Sequence, residues 1–247
     1  MNRTGSGPFL SLPCQTHPSG DICIAWPKQG DGADRFLELH AAFLHRSREG
    51  PVDVLFIGDS ITEQWVTASD VWCEHYEEYQ PANFGISGDG AQHILWRIEH
   101  GELTGLCPRV TVLLAGTNNS RTSSGSEIAT AMKKIVGRIR SDLPVTQVLL
   151  LAIFPRGPGI NADGTTDDGV ARMKVIREAN EQLARMENGT TVRFLDIGAC
   201  FLDEAGRIRI ALMPDQLHLS AAGYRVWAEA MRPLLHTMLN ASTPGSG

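Results

Sequence analysis

Between residues 53 and 194 the chain alternates short apolar runs with longer segments of helical periodicity. Strand-length runs occupy residues 54–57, 83–85, 110–115, 148–153 and 192–195. Most are continuous in Val, Ile and Leu rather than alternating with polar residues, as strands buried on both faces require. Helical spacing of apolar residues covers 34–47, 91–100, 126–141, 168–186 and 220–239. A helix between successive strands is the connection that parallel pairing needs, because a tight turn cannot return the chain to the same edge. The pattern predicts an α/β fold, a three-layer α/β/α sandwich around about five parallel strands.

In such sheets ligands bind beyond the carboxyl ends of the strands, so the residues just after each apolar run carry the most information. Three of those turns stand out: Gly58-Asp59-Ser60, Gly85-Ile86-Ser87-Gly88-Asp89 and Gly116-Thr117-Asn118-Asn119. Glycine and asparagine suit any turn, but three such turns at one end of one sheet point to a shared site. Residues 1–32 show little periodicity and are expected to wrap the surface of a single domain over 33–240, with 241–247 as a flexible tail. No internal repeat is present.

Composition narrows the classes of function. With 22 Lys and Arg against 28 Asp and Glu, a net charge of −6 and no basic block, a nucleic-acid partner is not expected. No apolar run approaches the roughly 20 residues of a membrane-spanning helix. The cysteines at 14, 23, 73, 107 and 200 are odd in number and lack C-x-x-C spacing, which argues against a zinc site or a disulfide framework. A Cys14–Cys23 bridge stays open. Residues 161–165 faintly follow a calcium loop, but the ligand pattern fails, and no metal is expected. The first 20 residues lack the apolar core of a secretory signal, so a cytoplasmic location is expected, although a secreted form without its leader would read the same.

A serine hydroxyl is a weak nucleophile until a base takes its proton, so Ser60 needs a histidine. Of eight histidines, His218 lies in Asp215-Gln216-Leu217-His218, just before the last helix, where a carboxylate three residues upstream can meet one ring nitrogen and leave the other for Ser60. The second glycine of a G-x-S-x-G elbow is absent, which disfavours the α/β-hydrolase arrangement. An oxyanion requires donors, and the three turns offer the Ser60 N–H, backbone at Gly88 and the Asn118 amide. Asp59 is expected to hydrogen-bond the Gly88 and Asn118 loops and stiffen them. Arg156, in a Pro/Gly-rich loop, either binds substrate or braces loops; His93 and Trp96 fit packing and capping better than catalysis. Ser60 with Glu63 three residues on also fits a helix N-cap with a capping box.

Gly58-Asp59-Ser60, Gly88, Asn118 and His218 match, in order, the blocks that define the SGNH (GDSL) hydrolases, and the chain resembles that family. The runs at 83–89, 92–103 and 154–157 are similar to the catalytic subunits of type Ib platelet-activating-factor acetylhydrolases. The resemblance covers roughly residues 36–239 and leaves 1–32 without a counterpart. It implies a flavodoxin-like sheet and a shallow, exposed site working without metal or cofactor. By position it implies Ser60 as nucleophile, Asp215 as orienting acid, His218 as base, and Ser60, Gly88 and Asn118 as oxyanion donors. The expected substrate is a small ester, with acetyl as the acyl group and an O-acetylated carbohydrate as the favoured source. The alternatives are a phospholipid acetylhydrolase or lysophospholipase-like enzyme, a thioesterase or transacylase, and a non-catalytic ligand-binding module. The resemblance is also compatible with a homodimer.

Overall fold

Five parallel strands form one sheet: β1 (Val54–Gly58), β2 (Ala82–Gly85), β3 (Val110–Leu114), β4 (Gln147–Leu151) and β5 (Val192–Leu195), in the order β2-β1-β3-β4-β5. The computed structural model describes residues 20–159 and 165–241. This strand order is the flavodoxin-like one: the chain steps to one side of β1 and then to the other, which opens a crevice beyond the carboxyl ends of β1 and β3.

The pleat sends successive side chains to opposite faces. In β1, Leu55 and Ile57 enter one core with α1 (Ala33–Arg46), α4 (Ala91–Glu99), α5 (Gly125–Asp142) and α6 (Gly169–Leu183). Val54 and Phe56 enter the other with α3 (Ser69–Tyr76) and α7 (Ala221–Asn240). All four of these β1 side chains are fully buried, which explains why the strand reads as continuous rather than alternating. On the second face Phe56 sits among Trp72, Tyr76, Trp65 and Trp227, with ring centroids 4.8, 5.0, 6.3 and 6.4 Å away. Truncating such a ring to alanine typically costs about 3–5 kcal/mol.

The segment between β1 and β2 holds a one-turn helix α2 (Ser60–Glu63), a 3-10 stretch (Gln64–Ala68) and α3. Its buried positions Ile61, Trp65, Ala68, Val71 and Tyr76 do recur at helical spacing, but the change of pitch breaks the run into short pieces. Strands β3 and β4 stop before Ala115 and Ile153, where the backbone leaves the sheet to form loops. Helix α6 ends at Leu183, and the expected last turn tightens into a 3-10 helix over Ala184–Met186.

Residues 20–32 lie against α4 and α5: the Trp26 N–H donates to the Gln92 carbonyl (3.1 Å), Lys134 donates to the Cys23 carbonyl (3.0 Å), and Ile22 joins the core. The rest of the expected N-terminal extension, Cys14, residues 161–164 of the calcium-like stretch and the tail from 242 lie outside the described residues. Among the described residues no helix is long and apolar enough to cross a membrane.

Candidate active site

At the end of β1 a side chain on Gly58 would collide with Thr62 Oγ1 and the Leu114 carbonyl, so only glycine lets α2 fold back this closely over β3. Asp59 then adopts extended backbone and caps the turn, its Oδ1 accepting the Ile61 N–H at 3.0 Å. Ser60 is thus the first helical residue, and the residue that caps the turn is Asp59 rather than Ser60. Nor does Glu63 close a capping box on Ser60. Its carboxylate accepts the N–H and hydroxyl of Ser87 (2.6 and 2.5 Å) and pairs with Arg35.

Ser60 Oγ lies 2.9 Å from His218 Nε2, across 158 residues of sequence. On its other side, His218 Nδ1 lies 2.6 Å from Asp215 Oδ2. The remaining Asp215 oxygen accepts the backbone N–H of Leu217 (3.0 Å) and of His218 (2.7 Å), so one carboxylate shapes the turn and orients the ring. Burial pushes the Asp215 carboxyl up, but hydrogen bonds from the His218 ring and the two N–H groups outweigh it and hold it below the usual range. A carboxylate at Nδ1 selects the tautomer that leaves Nε2 as an acceptor facing the serine, the geometry needed to take its proton.

Neither the Ser60 N–H nor the Gly88 N–H donates to any described residue. Asn118 Nδ2 donates one N–H to the Asp89 carbonyl at 2.9 Å and keeps its second for another acceptor. Gly88 has φ 77°, in the left-handed region; among the described residues an added Cβ there would come close only to Lys28 Nζ, at 3.5 Å. Glycine is therefore needed for backbone conformation rather than for space. Around it the loop is clamped by charge. Lys28 Nζ donates to the Ser87 carbonyl (2.6 Å) and pairs with Asp89 (3.1 Å), while Arg97 Nε donates to Asp89 (3.0 Å) and its Nη1 to Glu102 (2.5 Å). Asp89, Arg97 and Glu102 are wholly buried.

The bracing role expected of Asp59 is corrected. Its Oδ1 serves its own helix, its Oδ2 has no hydrogen-bond partner among the described residues, and the Gly88 and Asn118 loops are joined instead through the Asp89 carbonyl. Having started a helix turn, Asp59 has its carboxylate directed to that turn. Burial drives its carboxyl up to about 7, with Asp89 adding to the rise and the Ile61 N–H and Arg156 opposing it. Arg156 is buried and reaches Thr117. His93 Nδ1 accepts the Gly90 N–H at 3.0 Å at the start of α4, and burial, then Lys28 and Arg97, lower its pKa to about 3, so it is a neutral capping group. Trp96 packs on Phe36, His40 and His100.

Sequence reasoning missed Lys28, Asp89, Arg97 and Glu102 as supports of the Gly88 loop, and Asn119, which ties β3 to α4 by accepting the Ala91 N–H (2.8 Å) and donating to Gln92 (3.0 Å). A charged Arg97 on the apolar face of α4 was the available signal; Lys28 lies in a segment with no pattern to read.

Comparison with known proteins agrees with this architecture. The GDSL-like Lipase/Acylhydrolase family matches residues 56–226. The human platelet-activating factor acetylhydrolase IB subunit alpha1 is 34% identical over 224 residues, which is 89% of each chain. Among solved structures, a GDSL-like lipase from Bacteroides thetaiotaomicron superposes with a TM-score of 0.64 at 19% identity, covering 83% of this chain and 97% of that one. A carbohydrate acetylesterase from Sinorhizobium meliloti gives a TM-score of 0.57 at 18% identity, covering 76% and 99%. The chain belongs to the GDSL-like lipase/acylhydrolase family and is a carboxylic ester hydrolase.

Proposed function

We propose that the protein hydrolyses short-chain esters, acetyl above all, through an acyl-enzyme on Ser60. The observation that carries this reading is the 2.9 Å approach of His218 Nε2 to Ser60 Oγ, with Asp215 behind the ring. His218 takes the hydroxyl proton as Ser60 Oγ attacks the ester carbonyl, and the carbonyl oxygen becomes an oxyanion received by the N–H groups of Ser60, Gly88 and Asn118. His218 then gives its proton to the departing alkoxide, which leaves as the alcohol. Water, deprotonated by the same ring, releases the acid and restores Ser60. Acetyl is supported by the name of the 34% identical human relative, an acetylhydrolase. An O-acetylated carbohydrate is the favoured source, supported by the fold shared with a carbohydrate acetylesterase; an acetylated phospholipid is the second. A homodimer belongs to the same proposal, since the curated relatives are named as subunits.

Hydrolysis of p-nitrophenyl acetate, butyrate and octanoate by the protein and by Ser60→Ala tests this. Turnover falling with acyl length and abolished by the substitution is the expected result. Equal behaviour of the two proteins overturns the nucleophile, and a preference for octanoate overturns the short-acyl assignment.

A further inference from the structure

A cleft of about 690 Å³ opens beside Asn118 and Asp215, and its walls carry Arg121, Arg156 and Arg172. Two of these arginines are almost wholly buried, Arg156 at 7% and Arg172 at 8% exposure. Among the described residues the Arg156 guanidinium makes only long hydrogen bonds: Nη1 to the Thr117 carbonyl and hydroxyl (3.5 and 3.4 Å) and Nε to the Gly157 carbonyl (3.4 Å). No carboxylate among the described residues forms an ion pair with it. Arg172 pairs with Asp167 through Nη2, but its buried Nε has no partner among the described residues.

The two guanidinium groups converge. A point one Cβ bond out from Gly159 lies 3.2 Å from Arg156 Nη2 and 3.3 Å from Arg172 Nη2, with Asp167 Oδ2 at 3.1 Å. Both cations thus lie beside Asp167, which is ion-paired with Arg172 and already accepts the Gly159 N–H at 2.5 Å. Asp215 is engaged with His218, and burial draws Asp59 toward its neutral form. Burial and the like charge of Arg172 lower the pKa of Arg156, and the opposing pull of Asp167, Asp59 and Asp215 does not offset them. A buried cation without a partner is costly to the fold, whereas planar guanidinium groups match the two oxygens of a carboxylate or phosphate. Because Arg156 rests on Thr117, next to Asn118, a group held there lies next to the oxyanion site.

We propose that Arg156 and Arg172 form a subsite for an oxyanionic group, carboxylate or phosphate, carried by the ester substrate. This rests on the esterase reading above and narrows its substrate to anionic esters. Charge-assisted hydrogen bonds to such a group are expected to favour the charged ester by about tenfold or more in kcat/KM.

The test uses two matched pairs of esters. Phenyl acetate against 4-acetoxybenzoate places the carboxylate in the alcohol half; 4-nitrophenyl butyrate against 4-nitrophenyl hemisuccinate places it in the acyl half. The quantity read is the charged-to-neutral ratio of kcat/KM in the wild type, in Arg156→Gln and in Arg172→Gln, because the change of ratio between proteins cancels the intrinsic reactivity of each ester. A fall of about tenfold in either pair supports the subsite and tells which half of the substrate it holds. An unchanged ratio in both pairs, in a variant that melts as the wild type does, overturns it. Calorimetric titration of Ser60→Ala with inorganic phosphate, repeated with each arginine substituted, needs no turnover. If the esterase reading fails, phosphate bound by Ser60→Ala and lost with the arginines still supports an oxyanion site. Phosphate bound through the arginines with no change of ester ratio overturns the substrate assignment.

Discussion

The Tyr224 hydroxyl donates to the Ile61 carbonyl at 2.7 Å, joining residues 163 positions apart in sequence. Ile61 follows Ser60, and Tyr224 lies in the first turns of α7, six positions beyond His218, so this bond ties the two segments that bring Ser60 Oγ and His218 Nε2 together. Burial holds the Tyr224 hydroxyl protonated, and its ring packs on Trp65 at 4.5 Å. Tyr224→Phe keeps the ring and removes the donor. The expected outcome is a stability loss of about 1 kcal/mol in urea unfolding, with a several-fold drop in kcat for p-nitrophenyl acetate. Unchanged kcat with lowered stability would show that packing alone sets the alignment.

Asn118 donates to the Asp89 carbonyl with one N–H and has a second, which the proposed mechanism gives to the developing oxyanion. Replacing it with alanine is expected to lower kcat on the order of 100-fold to 1000-fold, as loss of an oxyanion donor does. Asn118→Asp separates the two roles, since it keeps the size but puts a carboxylate where the oxyanion forms. Single-turnover rates should fall for both variants, with Asp the slower; retention of activity by either removes Asn118 from the chemistry.

Arg97 is the shared partner of Asp89 and Glu102, both wholly buried. Arg97→Met leaves two carboxylates close together, with Lys28 and the neutral His93 beside Asp89 and His40 beside Glu102, and breaking a buried pair in this way typically costs about 3–5 kcal/mol. Lys28→Met leaves Arg97 in place and releases only one side of the loop that presents Gly88. It should lower kcat several-fold with a much smaller shift in melting temperature. A stability loss equal to that of Arg97→Met would mean that Lys28 supports the fold rather than the loop.

The sheet was legible because its strands are continuous apolar runs and each is followed by a helix, so burial on both faces leaves a mark in the sequence itself. Ser60, Asp215 and His218 were legible as a set because the chemistry demands a base for the serine and an orienting acid for the base, and only one histidine has a carboxylate three residues before it at the mouth of a helix. What escaped was the support. Lys28 reaches Asp89 from a segment with no periodicity, and the pairing of Arg97 with Glu102 depends on how α4 ends. Asp59 escaped for a local reason: the same carboxylate could cap its own helix or reach across the sheet end, and only the turn geometry decides. Convergence of Arg156 and Arg172, sixteen positions apart on a loop and a helix, likewise has no local signature.

Asp59 provides the pH test. Its carboxyl is pushed up to about 7 in the folded protein, by burial first and by Asp89 second, against an unfolded value near 3.9. Below about pH 4 it is protonated in both states and contributes nothing to pH dependence. Between about pH 4 and 7 the unfolded chain has released this proton while the folded protein retains it, so the native state binds more protons and stability falls as pH rises. Above about 7 both states are ionised and the loss levels off. Three pKa units correspond to up to about 4 kcal/mol. Asp59→Asn removes the titration and retains the cap, because asparagine serves an N-cap as well as aspartate. The variant should therefore gain on the wild type steadily from pH 4.5 to 7 and hold a constant advantage at pH 8, read from urea unfolding at each pH. Other titrating groups are common to both proteins and cancel in the difference. A gap that does not change with pH would show that Asp59 is ionised in the folded protein throughout, held there by Arg156.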